Sequence, residues 1–104
     1  MQTGIFGNLA QFLDTVDQAL TDLGLGDLNA TERSVLFAMT ASVAREQDGL
    51  PVCHTEQARA HRLARQISQP TFHRNLRRLV ARGLVEKTDG LAPGEYIIRV
   101  PGPR

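Results

Sequence analysis

The sequence lacks the features that mark a membrane or secreted protein. No run approaches the ~18 to 20 apolar residues that a membrane span requires, and the first residues lack the basic and then apolar pattern of a signal peptide. Cys53 is the only cysteine, which excludes an internal disulfide and fits a reducing compartment. With 104 residues and 41% apolar content, the chain can bury one modest core. We therefore expect one cytoplasmic globular domain that makes no membrane contact.

Charge of one sign is missing from two long stretches. Residues 1–32 contain five acids and neither Lys nor Arg, whereas residues 33–104 contain all twelve basic residues and six acids. The 29 residues from Gln57 to Val85 contain seven arginines and no carboxylate. Neutralising phosphates releases counterions, so a basic stretch without acids indicates a nucleic-acid partner. The alternative, a solvated charged face, predicts that acids and bases are interspersed.

Residues 68–87 read SQPTFHRNLRRLVARGLVEK and predict a helix with two different faces. At helical spacing one apolar stripe forms, from Phe72, Leu76, Leu79 and Val80. The opposite face carries Pro70, Arg74, Arg77, Arg78 and Ala81. Ser68 is a suitable N-cap, Pro70 suits the first turn, and Gly83 is placed to end the helix.

Residues 5–23 predict an amphipathic helix whose apolar side chains recur at heptad spacing. This heptad seam consists of Phe6, Leu9, Leu13, Val16, Leu20 and Leu23. Ile5, Phe12 and Ala19 widen the apolar stripe. We expect the seam to form a homodimer, and the alternative is a helix that lies on its own core. The helical segment would then span residues 1–27 and the remaining domain residues 28–104.

Two further helices are predicted between this segment and residue 68. The first spans residues 28–47, with Asn29 and Glu32 in a capping-box arrangement. Its buried stripe would be Val35, Leu36, Met39 and Val43. A turn at residues 48–49 and a short edge strand at residues 50–53 lead into the second helix, residues 55–66, capped by His54 or Thr55. A turn of about three residues then makes residues 55–83 a helix-turn-helix.

The hydrophobic period changes from that of a helix to that of a strand beyond Gly83. Residues 84–88 and 96–100 are rich in β-forming residues and are joined by the turn-forming loop 89–94. Tyr96, Ile98 and Val100 would face the helices and alternate with Ile97 and Arg99. The expected fold is mainly α with a small β-hairpin, an α+β winged helix-turn-helix in which the hairpin is the wing.

The chain resembles the MarR family of winged helix-turn-helix regulators over roughly residues 28–100. LNATERSVL is similar to the family's Leu-Thr-x-x-Glu/Gln-x-x-Val-Leu start, and SQPTFHRNLRRLVARGLVEK resembles Ser-x-x-Thr-Val-x-Arg-x-Leu-x-x-Leu-x-x-x-Gly-Leu-Val. The resemblance implies a dimeric transcription regulator that acts as a repressor or an activator. Two departures are clear. The family's wing tip carries Asp-x-Arg, whereas residues 89–94 contain no basic residue, and the C-terminal helices through which the family dimerises are missing.

These patterns assign double-stranded DNA contacts to two groups of side chains. The N-terminal part of a recognition helix meets base edges in the major groove, and the group expected there is Gln69, Thr71, His73 and Arg74. The group expected at phosphates is Arg59, Arg62, Arg65, Arg77, Arg78, Lys87 and Arg99. A two-fold dimer would bind an inverted repeat with half-sites about 10 bp apart.

Other chemistries have less support in the sequence. Cys53, His54 and His61 do not complete a recognised metal-ligand set, so we expect no metal and no cofactor. A redox role for Cys53 is an alternative to simple packing. His73 lacks the partners of a catalyst, and we expect no enzyme activity. The alternative functions are a protein-interaction or assembly module and a non-specific architectural DNA binder. A small-molecule effector is left open.

Overall fold

The computed structural model describes residues 3–99, which form two compact units, residues 3–28 and residues 29–99. Within this range the chain forms four helices and one four-stranded antiparallel sheet, which confirms the expected α+β class. No helix in the range is long and apolar enough to cross a membrane. Val100, the last residue of the predicted second wing strand, lies outside the described residues, as do residues 1–2 and 101–104.

The first unit consists of one long helix and the turn that follows it. Helix α1 spans Thr3–Asp22, close to the predicted residues 5–23. The chain then turns back, with the Gly24 N–H donating to the Thr21 carbonyl and the Leu25 N–H donating to the Leu20 carbonyl. The helix therefore ends in a hydrogen-bonded turn.

Helix α2 begins where the sequence predicts and ends earlier. It spans Ala30–Ala41, and the capping box is complete: the Glu32 N–H donates to Asn29 Oδ1 at 2.8 Å, and the Asn29 N–H donates to Glu32 Oε1 at 2.9 Å. The predicted continuation to residue 47 is wrong, because residues 43–47 form a strand. Val43, assigned to the buried stripe of this helix, is consequently exposed.

Strand β1 (Val43–Gln47) and strand β2 (Leu50–His54) form an antiparallel hairpin. Asp48 and Gly49 both have positive φ, 54° and 79°, as the two-residue turns favoured in hairpins require. Strand β2 also pairs with the later strand β4 (Glu95–Ile98) and lies inside the sheet, whose order is β1-β2-β4-β3. The prediction of an edge strand at residues 50–53 is therefore wrong, since β1 occupies that edge.

Helix α3 is much shorter than predicted. It spans Thr55–Ala60, with the His54 side chain as N-cap, and residues 61–68 connect it to the next helix in place of a three-residue turn. His61 adopts an extended conformation and ends the helix. Its carbonyl then accepts from the N–H groups of Ala64 and Arg65, which holds the connection in successive turns with Ala64 buried.

Helix α4 spans Gln69–Ala81 and agrees with the prediction at both ends. Ser68 Oγ accepts from the Thr71 N–H at 3.3 Å, and Pro70 lies in the first turn. At the other end Gly83 has φ 76°, the left-handed conformation that favours glycine. Its N–H donates to the Val80 carbonyl and the Leu84 N–H donates to the Leu79 carbonyl, which together form a Schellman motif.

The buried face of α4 differs from the predicted stripe at two positions. Phe72, Leu76 and Leu79 are buried as expected. Val80 is 40% exposed and lies at the margin of the stripe, while Asn75 is buried in its place. The helix packs against α2 and against strand β3 (Val85–Glu86).

The C-terminal hairpin is shorter than predicted and belongs to a larger sheet. Strands β3 and β4 pair antiparallel, with Val85 opposite Ile98 and Glu86 opposite Ile97. Ile97 and Ile98 are both buried, so the predicted alternation between them is wrong. Because successive side chains of a strand point to opposite faces of the sheet, both faces of the sheet are covered at this point of β4.

Candidate nucleic-acid interface

The outward face of α4 carries three exposed arginines on a helix that is fixed to the core. Arg74, Arg77 and Arg78 are exposed, together with Pro70 and Ala81. The buried side chains on the other face, described above, hold the helix in a single orientation. The arginine face is therefore displayed by a rigid element, as a recognition helix requires.

None of these arginines is neutralised within the described chain. Salt bridges to carboxylates of residues 3–99 are absent for Arg59, Arg62, Arg65, Arg74, Arg77 and Arg78. Three of these arginines come from α4, and the other three come from α3 and the turn after it. Because neighbouring acids do not compensate the guanidinium groups, their charge remains free to attract an anionic partner.

Two of the predicted base-reading residues contact each other. Thr71 Oγ1 accepts from Ser68 Oγ at 2.9 Å and from Arg74 Nη2 at 3.2 Å. Thr71 and Arg74 lie on the flank of α4 that faces the start of α2, whereas Gln69 and His73 lie on the opposite flank. The His73 ring contacts the Phe72 ring edge to face, with centroids 5.6 Å apart. The four residues thus line both sides of the helix's N-terminal half.

A cleft of about 590 Å³ opens between α4 and the N-terminus of α2. Its lining consists of Asn29, Ala30, Thr31, Thr71, Arg74, Asn75 and Arg78. Sequence reasoning missed this cleft, and it missed Asn75 as a lining residue. The residues that begin α2 and those on α4 are about forty positions apart, so only helix packing brings them together.

The sequence predicts that the three arginines before α4 lie on one helix, but only the first of them does. Arg59 lies on α3, whereas Arg62 and Arg65 are exposed in the turns between α3 and α4. Arg59 is half-buried, and its buried Nε has no hydrogen-bond partner among the described residues. Arg62 and Arg65 are therefore the more accessible of the three.

The basic residues at the base of the C-terminal hairpin are engaged in contacts within the protein. Lys87 Nζ donates to the carbonyls of Ala92 and Glu95, at 2.9 and 3.2 Å, and lies 5.1 Å from the centre of the Tyr96 ring. Arg99 forms a salt bridge with Glu86. Both residues were predicted to contact phosphates, yet the hairpin offers less free positive charge than that prediction assumes.

The loop between β3 and β4 is held by an ion pair that the sequence does not reveal. Arg45 on β1 donates to both carboxylate oxygens of Glu95, at 2.7 and 3.3 Å, and the same carboxylate accepts from the Ala92 N–H at 2.9 Å. The hydrogen bond from Arg45 is the main reason that the pKa of Glu95 lies below its ordinary value. The first hairpin thereby supports the second.

Cys53 is buried in the core, and the side chains of His54 and His61 accept hydrogen bonds from nearby backbone N–H groups. Cys53 is 1% exposed, and burial raises its thiol pKa to about 11, which disfavours the reactive thiolate and argues against a redox role. His54 Nδ1 accepts from the Glu56 N–H, and His61 Nδ1 accepts from the Leu63 N–H, both at 3.1 Å. Across residues 3–99, no group of three or more His, Cys, Asp or Glu side chains is placed to hold a metal ion.

Helix α1 presents a second candidate surface, which is apolar, whereas the exposed face of α4 is basic. Phe6, Leu9 and Leu13 of the heptad seam are 71%, 52% and 55% exposed. Ile5 and Phe12 extend this exposed apolar surface. Val16 and Leu23 are half-buried and Leu20 is buried, so the exposed part of the seam is its N-terminal half.

Comparison of the chain with protein-family models, with curated proteins and with solved structures gives no match.

Proposed function

We propose that the chain is a small homodimeric transcription regulator that binds a specific double-stranded DNA sequence through a winged helix-turn-helix. The single observation that supports this most is the arginine face of α4. Arg74, Arg77 and Arg78 are exposed, without a carboxylate partner among residues 3–99, on a helix anchored by its opposite face. In this proposal α3 and α4 form the helix-turn-helix, and the β3–β4 hairpin is the wing.

The proposed mechanism places the N-terminal half of α4 in the major groove. Arg74 reads guanine through its O6 and N7 atoms, and Gln69 pairs with adenine. Thr71 and His73 complete the base contacts from either side of the helix. Since Thr71 Oγ1 already accepts a hydrogen bond from Arg74, the two side chains would approach the DNA as a unit.

Phosphate contacts would position the protein without reading sequence. Arg77 and Arg78 on α4, and Arg62 and Arg65 in the preceding turns, are the accessible cations for this role. Lys87 and Arg99 would first have to release their partners in the hairpin. The wing therefore contributes less to binding than α4 does.

Dimerisation would use the exposed apolar part of α1. Large exposed apolar patches mark interaction sites, and a heptad seam is suited to pairing with a second copy of the same helix. A Phe6→Ser/Leu13→Ser variant should shift the protein from dimer to monomer in sedimentation equilibrium, and a Gln11→Ser variant should not. If the unsubstituted protein is already a monomer in this experiment, the proposal of dimerisation through α1 is wrong.

The experiment that tests the function is in-vitro selection of bound duplexes from a random DNA pool. The proposal predicts enrichment of an inverted repeat with half-sites about 10 bp apart, or a multiple of that. Gel shifts over a salt series accompany the selection, because phosphate contacts make affinity fall with salt. If the protein binds no DNA at low salt, both the sequence-specific regulator and the non-specific DNA binder are excluded.

Two other functions give different outcomes in the same experiment. Binding that depends on salt but enriches no sequence would favour a non-specific architectural DNA binder. A protein-interaction or assembly module would bind no DNA. The absence of carboxylates from residues 57–85 disfavours that module, because protein partners give no reason to exclude acids from α4 and from the segment that precedes it.

A further inference from the structure

The exposed apolar side chains of α1 are arranged symmetrically about Leu9. Five large apolar residues of this helix are more than half exposed: Ile5, Phe6, Leu9, Phe12 and Leu13. Ile5 and Leu13 lie four positions to either side of Leu9, and the two phenylalanines lie three positions to either side. At helical spacing all five fall within about 60° of the Leu9 direction, so they form one face. Reversing the direction of the helix leaves the order of aromatic and aliphatic side chains on this face unchanged.

This symmetric face stops where the helix becomes buried. Val16 is half-buried and Leu20 is buried, although both continue the heptad seam. A contact with a second copy is therefore limited to the N-terminal half of α1, with Leu9 at its centre. In a two-fold dimer the same patch on both copies must complement itself. Two antiparallel helices meet this condition when residues equally far from the centre are alike, as they are here.

The charges of α1 are placed against the dipole of the helix itself. Its first turn contains no acid and its last turn contains no basic residue. Its three acids, Asp14, Asp17 and Asp22, all follow the apolar face. A helix carries partial positive charge at its N-terminus and partial negative charge at its C-terminus, so these acids gain nothing from their own helix dipole. A partner helix that runs in the opposite direction would bring its positive end to this part of the surface.

We propose that α1 pairs with α1 of a second copy in an antiparallel arrangement whose two-fold axis passes at Leu9. Leu9 then contacts the partner's Leu9, and Phe6 contacts the partner's Phe12. Asp14 comes level with the partner's Gly4, in the first turn of that helix. In a parallel pair each residue would instead meet its own copy, and the acids of the two chains would lie level with each other. The inference rests on the homodimer of the proposed function and does not depend on DNA binding.

Distances between spin labels, measured by pulsed dipolar spectroscopy, test the direction of pairing. The labels are attached to Cys53→Ala/Gln11→Cys and Cys53→Ala/Asp22→Cys chains, since Gln11 and Asp22 are both exposed and lie off the apolar face. An antiparallel pair centred at Leu9 separates the two copies of Gln11 by about 6 Å along the helix axes and the two copies of Asp22 by about 39 Å. A parallel pair adds no axial separation at either position. We expect the label distance at Asp22 to exceed that at Gln11 by at least about 15 Å.

The failure of this inference can be distinguished from the failure of the proposed function. Equal label distances at the two positions would overturn the antiparallel arrangement and leave the homodimeric regulator in place. Absence of dipolar coupling at both positions would show a monomer, which overturns this inference together with dimerisation through α1. In-vitro selection would still decide whether the chain binds DNA.

Disulfide formation tests the register of the two helices. Cys53→Ala/Phe6→Cys and Cys53→Ala/Phe12→Cys chains are oxidised separately and as a mixture. The two copies of residue 6 would lie about 9 Å apart along the axes, beyond the Cα separation of about 7 Å that a disulfide can span. We therefore expect the mixture to form a disulfide between the two different chains at least about tenfold faster than either chain links to itself. A mixture that links no faster than the separate chains would overturn the register.

Discussion

Helices α1 and α4 are both amphipathic, yet they present opposite faces to solvent. Helix α1 contains three acids and no basic residue, and its large apolar side chains Phe6, Leu9 and Leu13 are exposed. Helix α4 contains three arginines and no acid, and its apolar side chains are buried. The comparison teaches that periodicity identifies a helix, whereas burial and the sign of its charge indicate what the helix can contact.

The largest expected effect comes from truncating the same residue type in the two helices. Phe72→Ala removes a fully buried ring and should lower the free energy of unfolding by about 3 to 5 kcal/mol. Phe6→Ala removes a ring that is mostly exposed and should change the free energy of unfolding of the monomer by about 0.5 kcal/mol or less. Urea unfolding of both variants, at concentrations where the chain is monomeric, measures the difference. Similar losses would show that α1 is packed as tightly as α4.

Thiol reactivity should separate the two units by about a hundredfold or more. With a pKa of about 11, on the order of a thousandth of Cys53 is thiolate at pH 8, and the side chain is buried. Native Cys53 should therefore react slowly with Ellman's reagent. In a Cys53→Ser/Leu9→Cys chain the new thiol, on the exposed face of α1, should react at the rate of an unstructured peptide. Rapid reaction of native Cys53 would contradict its burial.

A smaller effect distinguishes base reading from phosphate contact within the basic region. Arg74→Ala should weaken binding to the selected DNA by about 1 to 3 kcal/mol and relax the preference at one base pair. Arg62→Ala should weaken binding to all sequences alike and make the affinity less dependent on salt. Competition binding over a salt series measures both. Equal loss on every sequence for Arg74→Ala would exclude its assignment to a base.

The smallest effect concerns the ion pair that supports the β3–β4 loop. The pKa of Glu95 is lowered in the folded chain, chiefly by its hydrogen bond from Arg45. Its contribution to stability is therefore present above the ordinary Glu pKa and is lost as pH falls through the folded pKa. Between about pH 6 and about pH 3, Glu95→Gln should lose less stability than the parent chain does. Identical pH dependence in urea unfolding of the two proteins would show that the pair contributes nothing.

The parts of the fold that the sequence predicts are those controlled by near neighbours. Asn29 with Glu32 starts α2, Ser68 starts α4, and Gly83 ends α4, because each cap forms within a few residues of the chain. The exposed arginines of α4 follow from the same local periodicity. By contrast, the predictions of long helices at residues 28–47 and 55–66 are wrong, because the first helix gives way to strand β1 and the second ends at His61.

The sequence by itself determined the α1 and α4 helices, the positions of the caps and the separation of acids from arginines along the chain. Only the tertiary structure decided that β2 pairs with β4, that Arg45 meets Glu95 fifty positions away, and that α2 and α4 enclose a cleft. The physical reason is the range of the interactions. Capping and helical periodicity act over a few residues, whereas strand pairing and helix packing depend on where the whole chain brings distant residues.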